Sequence, residues 1–206
     1  PPSLRTDGGA DMVLVTAGPF VMGSHLGAPE ESPPHQRELP AFYIDRTEVT
    51  VIQYSRFLAA TAHPAPVGWA DEKPAAGTET RPVTNLRWSD AMRYAMWAGK
   101  RLPTEAEWEK AARGADGRRF PWGDADQEAL RNKGSGKLRP VATYPNGASP
   151  WGCEDMSGNA WEWTSDWFQP YPATSARSVH FGRHYKVVRG GAGEELYATA
   201  NTGTTS

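Results

Sequence analysis

The chain has 206 residues and a formal net charge of −2, long enough to bury a sizeable core within one domain. It carries no basic stripe, which argues against nucleic acid as a partner, and no apolar run near the about 18 residues that a membrane span needs. Cys153 is the only cysteine, so no internal disulfide can form, and it reads as a small buried apolar residue. With 21 glycines and 18 prolines, much of the chain must be short strands and shaped loops. The expected class is an irregular, loop-rich α+β fold in one domain over residues 1–206, with no internal repeat and no linker.

The first residues carry no hydrophobic signal-peptide centre, which leaves a processed end or a cut boundary open. Met12–Val15 and Phe20–Gly23 read as a hairpin across Ala17, Gly18 and Pro19. Ser24–Pro40 is polar and proline-rich, which predicts a surface loop, and Ala41–Asp45 predicts a strand. Thr50 and Gln53 have capping-box spacing, and Ile52, Phe57 and Leu58 supply the apolar face of a helix ending near Thr61. After a loop from His63 to Arg81, Ser89 is the expected N-cap of a helix that stops at Gly99. Thr104 and Glu107 repeat the capping-box spacing for a third helix, with Trp108, Ala111 and Ala112 on one face and Gly114 at its end. Short strands and loops follow through Phe120–Gly123 and Pro140–Ala142, and Tyr185–Arg189 predicts a strand ended by Gly190 and Gly191. The final stretch, Ala192–Ser206, is small and polar with no strong closing strand.

Trp161, Trp163 and Trp167 put three of the nine tryptophans in one short run, interleaved with Glu162 and Asp166. Such ring area beside an acid predicts a rigid core element that also holds a cation or a polar network. Paired acids such as Glu30–Glu31 and Glu194–Glu195 read as solvated. His180 and His184 sit four apart in a loop context and read as ordinary surface histidines.

Six runs, in this order, resemble the formylglycine-generating enzyme family, also called sulfatase-modifying factors. They include Met22–Ser24, Glu48–Thr50, Gly99–Glu109, Phe120–Gly123, Gly158–Trp163 and Val188–Gly191, so the match spans roughly residues 12–191. The resemblance implies the family's variant of the C-type lectin fold, with a small antiparallel sheet, two main helices and much loop. It also implies a closing C-terminal strand, which is expected to be absent here. Members include copper-dependent oxidases, iron-dependent sulfoxide synthases and variable proteins that display a binding surface. The oxidases hold copper(I) by two cysteines after the glycine pair, and the matching positions here are Glu195 and Ala200. Neither can replace a thiolate for a soft ion. The expectation is therefore a ligand- or protein-binding or structural module without redox chemistry. Its partner would be a protein, a glycan or another subunit, and no catalytic residue is assigned. The alternative is an oxidase with a cofactor other than two-cysteine copper.

By the same resemblance, Asp155, Gly158, Ala160 and Glu162 match a structural calcium site of two side chains and two backbone carbonyls, an oxygen set that suits this hard cation. The other reading is that Asp155 caps a turn while Glu162 accepts backbone hydrogen bonds. Asn132 and the Lys133 carbonyl match half of a second site whose loop lacks the expected aspartate. Glu194, Glu195, Tyr197, Asn201 and Thr202 fall where the family's fold lines its ligand face, with a frayed tail as the alternative. Calcium and many relatives lean toward a periplasmic or secreted protein, with the compartment left open.

Overall fold

A computed structural model describes residues 3–5, 9–133, 135–191 and 197–201, the first and last of these segments as backbone only. Strand β1 (Ser3–Arg5) pairs with β2 (Asp11–Val15), and β2 pairs with β5 (Phe42–Asp45), giving a three-stranded antiparallel sheet. A two-stranded sheet joins β3 (Gly18–Met22) to β4 (His35–Leu39). Strands β6 (Glu162–Trp167), β7 (Tyr185–Arg189) and β8 (Tyr197–Asn201) form the third sheet, also antiparallel.

Among the described residues three α-helices accompany the sheets: α1 (Val51–Thr61), α2 (Trp88–Trp97) and α3 (Glu105–Arg113). Both expected capping boxes are present. Thr50 accepts from Gln53 N while Gln53 Oε1 accepts from Thr50 N at 2.8 Å, and Thr104 and Glu107 repeat the arrangement. Helix α2 begins two residues earlier than expected. Its N-cap is Arg87, whose N–H donates to Asp90 Oδ2 at 3.2 Å, so Ser89 lies inside the first turn.

The predicted hairpin is overturned. Its two strands exist but do not pair with each other; β2 bonds to β5 with Val13 opposite Ile44, and β3 bonds to β4 with Phe20 opposite Arg37. The reason is the packing. Val13 and Val15 enter a core with Trp108, Ala111, Ala112, Cys153 and Met156, whereas Phe20 and Met22 enter another with Ala106 and Tyr171. Strand β4 falls within the predicted Ser24–Pro40 loop. Pro140–Ala142, expected as a strand, forms a turn.

Helix α3 lies between these two cores and all nine of its residues are buried. Its charged side chains therefore need partners inside the protein. Lys110 Nζ donates to the carbonyls of Thr16 and Gly18 at 2.8 Å each. Glu109 accepts from Gly23 N at 2.7 Å and pairs with Arg113 and Arg189. Tyr171 Oη donates to Glu105 at 2.8 Å. The helix thus pins β3, β7 and the Tyr171 loop in one frame. Among the described residues no helix is long and apolar enough to cross a membrane.

Candidate ion-binding loop and adjoining cleft

The segment 155–162 runs into β6, which packs against α3. Indole N–H groups clamp its surroundings. Trp108 Nε1 donates to Glu162 Oε2 at 3.1 Å, Trp88 Nε1 to Thr164 O at 2.8 Å, and Trp163 Nε1 to Leu86 O at 3.0 Å. The run is not a core element throughout, because Trp161 is 41% exposed.

Asn159 is the cross-brace. Its Oδ1 accepts from Arg139 N at 2.9 Å and from Asn132 Nδ2 at 3.0 Å, while its Nδ2 donates to Glu48 Oε1 at 3.0 Å. The residue holds φ at 66°, a left-handed conformation that asparagine tolerates better than most residues. Gly158 sits where a Cβ would stand 2.7 Å from Asn132 O, so glycine is required for the loops to approach. Asn132, half of the expected second ion site, is already engaged. Its Oδ1 accepts from Ser135 at 2.7 Å, and its Nδ2 also donates to Lys137 O at 2.9 Å.

Of the expected calcium ligands, Asp155 Oδ2 accepts from Ala142 N at 2.6 Å, and the Gly158 carbonyl accepts from Ala160 N at 3.0 Å. The Ala160 carbonyl and Glu162 Oε1 converge, lying 3.0 and 3.5 Å from the point where a Cβ on Gly190 would sit. A third acid joins them. Glu48 is 7% exposed, and its Oε2 is buried without a hydrogen-bond partner.

Burial pushes the Glu162 carboxyl up to about 7; the Trp108 hydrogen bond opposes this, and the charges of Asp155 and Asp45 reinforce it. Burial, then Glu162 and Asp155, raise Glu48 well above its ordinary value. Burial also raises Asp155, opposed by the hydrogen bond from Ala142 N and by one shared with the Glu48 carboxyl. These acids face a desolvated, like-charged environment, which a cation relieves. Among the described residues no group of three or more His, Cys, Asp or Glu side chains is placed to hold a metal ion. An ion in this loop would therefore draw on backbone carbonyls as well as carboxylates, and the convergence of Ala160 O with Glu162 Oε1 fits an oxygen-seeking cation.

Cys153 lies wholly buried in the Val13–Trp108 core, and burial pushes its thiol up to about 12. It is an inert packing residue at neutral pH. His180 and His184 are exposed, with His180 against the Tyr185 ring at 4.7 Å. Glu31, expected in solvent, is partly buried, and that burial raises its carboxyl. Of the expected ligand face, Glu194, Glu195 and Thr202 lie outside the described residues, while Tyr197 and Asn201 are backbone positions of β8, opposite Arg189 and Tyr185. Ala200 also belongs to β8, opposite Lys186.

Beside the ion loop opens a cleft of about 400 Å³, walled by β5, α2, Glu48 and the Ala160–Trp163 segment. No sequence pattern marks it, because its walls come from elements far apart in the chain. Glu48, which the sequence marks only as part of a matching run, is buried against Asn159 and the other loop acids.

Three small antiparallel sheets around a buried helix, bound by glycine-shaped loops, define a sulfatase-modifying-factor type of fold. The sulfatase-modifying factor enzyme 1-like domain model matches residues 2–203, and the chain belongs to this family. It is 38% identical to a hercynine oxygenase of Mycolicibacterium smegmatis over 87% of this chain and 53% of that protein. It is 33% identical to a formylglycine-generating enzyme of Streptomyces coelicolor over 82% of this chain and 73% of that protein. PvdO from Pseudomonas aeruginosa shares the fold at a TM-score of 0.79 and 21% identity, over 98% of this chain and 93% of PvdO. The chain thus spans about half the length of the hercynine oxygenases it matches, at 53% and 51%.

Proposed function

We propose that the domain is a calcium-braced binding or structural module that recognises a protein, a glycan or another subunit and does not work as a two-thiolate copper oxidase. The observation that carries the calcium part is the clustering of three raised acids, Glu48, Asp155 and Glu162, in buried surroundings beside the Ala160 carbonyl. Asp155, the Gly158 and Ala160 carbonyls and Glu162 would hold the ion. Bound there, calcium would supply charge neutralisation and no chemistry. This chain's own residues do the positioning: Trp108 orients Glu162, Ala142 N orients Asp155, and Asn159 holds Glu48.

The non-oxidase part rests on sulfur. Two thiolates cannot be drawn from one cysteine, and Cys153 is fully enclosed. Ligand recognition is proposed for the end of the chain around Tyr197 and Asn201, with Glu194, Glu195 and Thr202. The similarity to hercynine oxygenases favours a second reading, in which this domain is the part of a longer oxygenase that shapes the substrate pocket while another part supplies the reactive centre.

Thermal melting after chelation, with and without added calcium, tests the brace. Calcium at about 100 times its dissociation constant contributes about 2.7 kcal/mol, a rise of roughly 5–10 °C for a domain of this size. Glu162→Gln should remove that rise. An unchanged melting temperature in the unsubstituted protein rules out the brace. Aldehyde formation on a cysteine-bearing peptide incubated with the protein and copper(I) would overturn the non-oxidase part.

A further inference from the structure

The link between β6 and β7 is charged on one side only. From Trp167 to Gly193 the sequence holds no aspartate or glutamate, although the chain has 24 of them. Arg177, His180, Arg183 and His184 lie in this stretch and are all exposed. Among the described residues neither arginine side chain has an ion pair or a hydrogen bond. Its other cations, Lys186 and Arg189, are buried at 4% and 3% exposure, so the two arginines carry the fixed charge of the surface.

The link is a built loop. Gly182 N donates to Phe168 O at 2.9 Å, and Phe168 N to Tyr185 O at 2.8 Å, which closes residues 168–182 onto the start of β7. The Phe168 and Phe181 rings meet at 4.7 Å beside Val187 and give the loop its own core. Tyr171 ties it to α3 through Glu105. At the tip Phe181 N donates to Ser178 O at 3.3 Å, so residues 178–181 form a β-turn with Val179 and His180 at its centre. Val179 is 91% exposed, more than any other large apolar residue described. Turn centres favour glycine, proline, asparagine and aspartate, so neither the turn nor any core accounts for a valine there. His180 stands edge-on to Tyr185 at 4.7 Å, and Tyr185 is opposite Asn201. The loop therefore adjoins the end of β8 that is proposed for recognition.

We infer that this loop docks a protein partner through a segment that interleaves acidic and apolar side chains. Carboxylates of that segment meet Arg177 and Arg183, and its apolar side chains close over Val179. The charge selects for an anionic surface. The valine selects among anions. A phosphate or sulfate chain offers nothing that buries an isopropyl group, and one valine is too little apolar area to hold a bilayer surface. A loop already shaped by its own core loses little freedom on binding. The inference deepens the recognition reading and rests on it, but none of these contacts needs calcium.

The test uses a fluorescein-labelled dodecapeptide repeating Asp-Leu-Glu-Ser, titrated with the whole chain and read by anisotropy. Saturable binding is expected, about tenfold weaker when salt is raised from about 50 to about 300 mM. The double variant Arg177→Gln with Arg183→Gln should also weaken it about tenfold. Val179→Ser should weaken it about fivefold, yet leave unchanged the poorer binding of a peptide whose leucines are replaced by serine. All three side chains are exposed, so an unaltered melting temperature shows that the variants stay folded. A peptide that does not saturate overturns the inference while leaving glycan recognition standing. If the peptide saturates but the loop variants bind it equally well, recognition lies elsewhere and this inference falls. It falls too if heparin or phosphatidylserine vesicles bind through the arginines with no effect of Val179→Ser. Concentration-dependent dimers that Val179→Ser dissolves would make the occupant a second copy, which also overturns it.

Discussion

Asn159→Ala tests whether the ion loop is held by one side chain. The substitution deletes the acceptor of Arg139 N and Asn132 Nδ2 and the donor to Glu48 Oε1. The bonds to Asn132 and Glu48 are buried, and a buried group stripped of its partner costs about 1–3 kcal/mol. Asn132 Nδ2 keeps its second bond, to Lys137 O, whereas the Glu48 carboxyl already has one oxygen without a partner. Alanine at a φ of 66° adds backbone strain of about 1 kcal/mol. Together these predict a loss of about 3–5 kcal/mol, or roughly 6–20 °C in Tm. Asn159→Gly loses the same hydrogen bonds without the left-handed penalty, so it should be about 1 kcal/mol less damaging than alanine. Urea unfolding followed by tryptophan fluorescence measures both. If alanine costs under about 1 kcal/mol, the cross-brace does not hold the loops and the reasoning fails.

Two further outcomes follow from local chemistry. Thr50→Ala and Thr104→Ala each remove an N-cap acceptor and should cost about 1 kcal/mol in urea unfolding. Calcium affinity, measured by titration calorimetry, should fall as pH drops through about 7, where Glu162 takes up a proton. The sign follows from the raised carboxyl. Without the ion, the charged form is penalised, so the stability lost to this group is absent below its unfolded value near 4.5 and complete above about 7. With calcium bound, the ionised form is the one needed, and the pH dependence reverses.

The helices were legible because their signals are local. Thr50 with Gln53 and Thr104 with Glu107 bring both halves of a cap within one turn, and Gly114 ends α3 as a C-cap glycine should. Strand positions were also legible in β2, β5 and β7, where apolar residues concentrate. Strand partners were not. Alternation in Met12–Val15 says that one face is buried, but not that Val13 packs on Trp108 while Phe20 packs on Ala106 and Tyr171. Strand β4 escaped because His35–Leu39 has mostly exposed positions and no apolar period. The tryptophans around Glu162 already pointed to a cation or a polar network, but the four ligand positions were visible only through resemblance to a family, since two of the four groups are carbonyls that any residue supplies. Glu48 and Asn159 are 111 residues apart in sequence, and no spacing rule reaches that far. The cleft is walled by residues from many elements, so it had no signature in any one segment.

Elemental analysis of the purified, extensively dialysed protein bears most directly on a scaffold braced by a hard cation and lacking a thiolate redox centre. The account predicts about one calcium per chain and no stoichiometric transition metal. Copper or iron at about one per chain, with calcium absent, would contradict it.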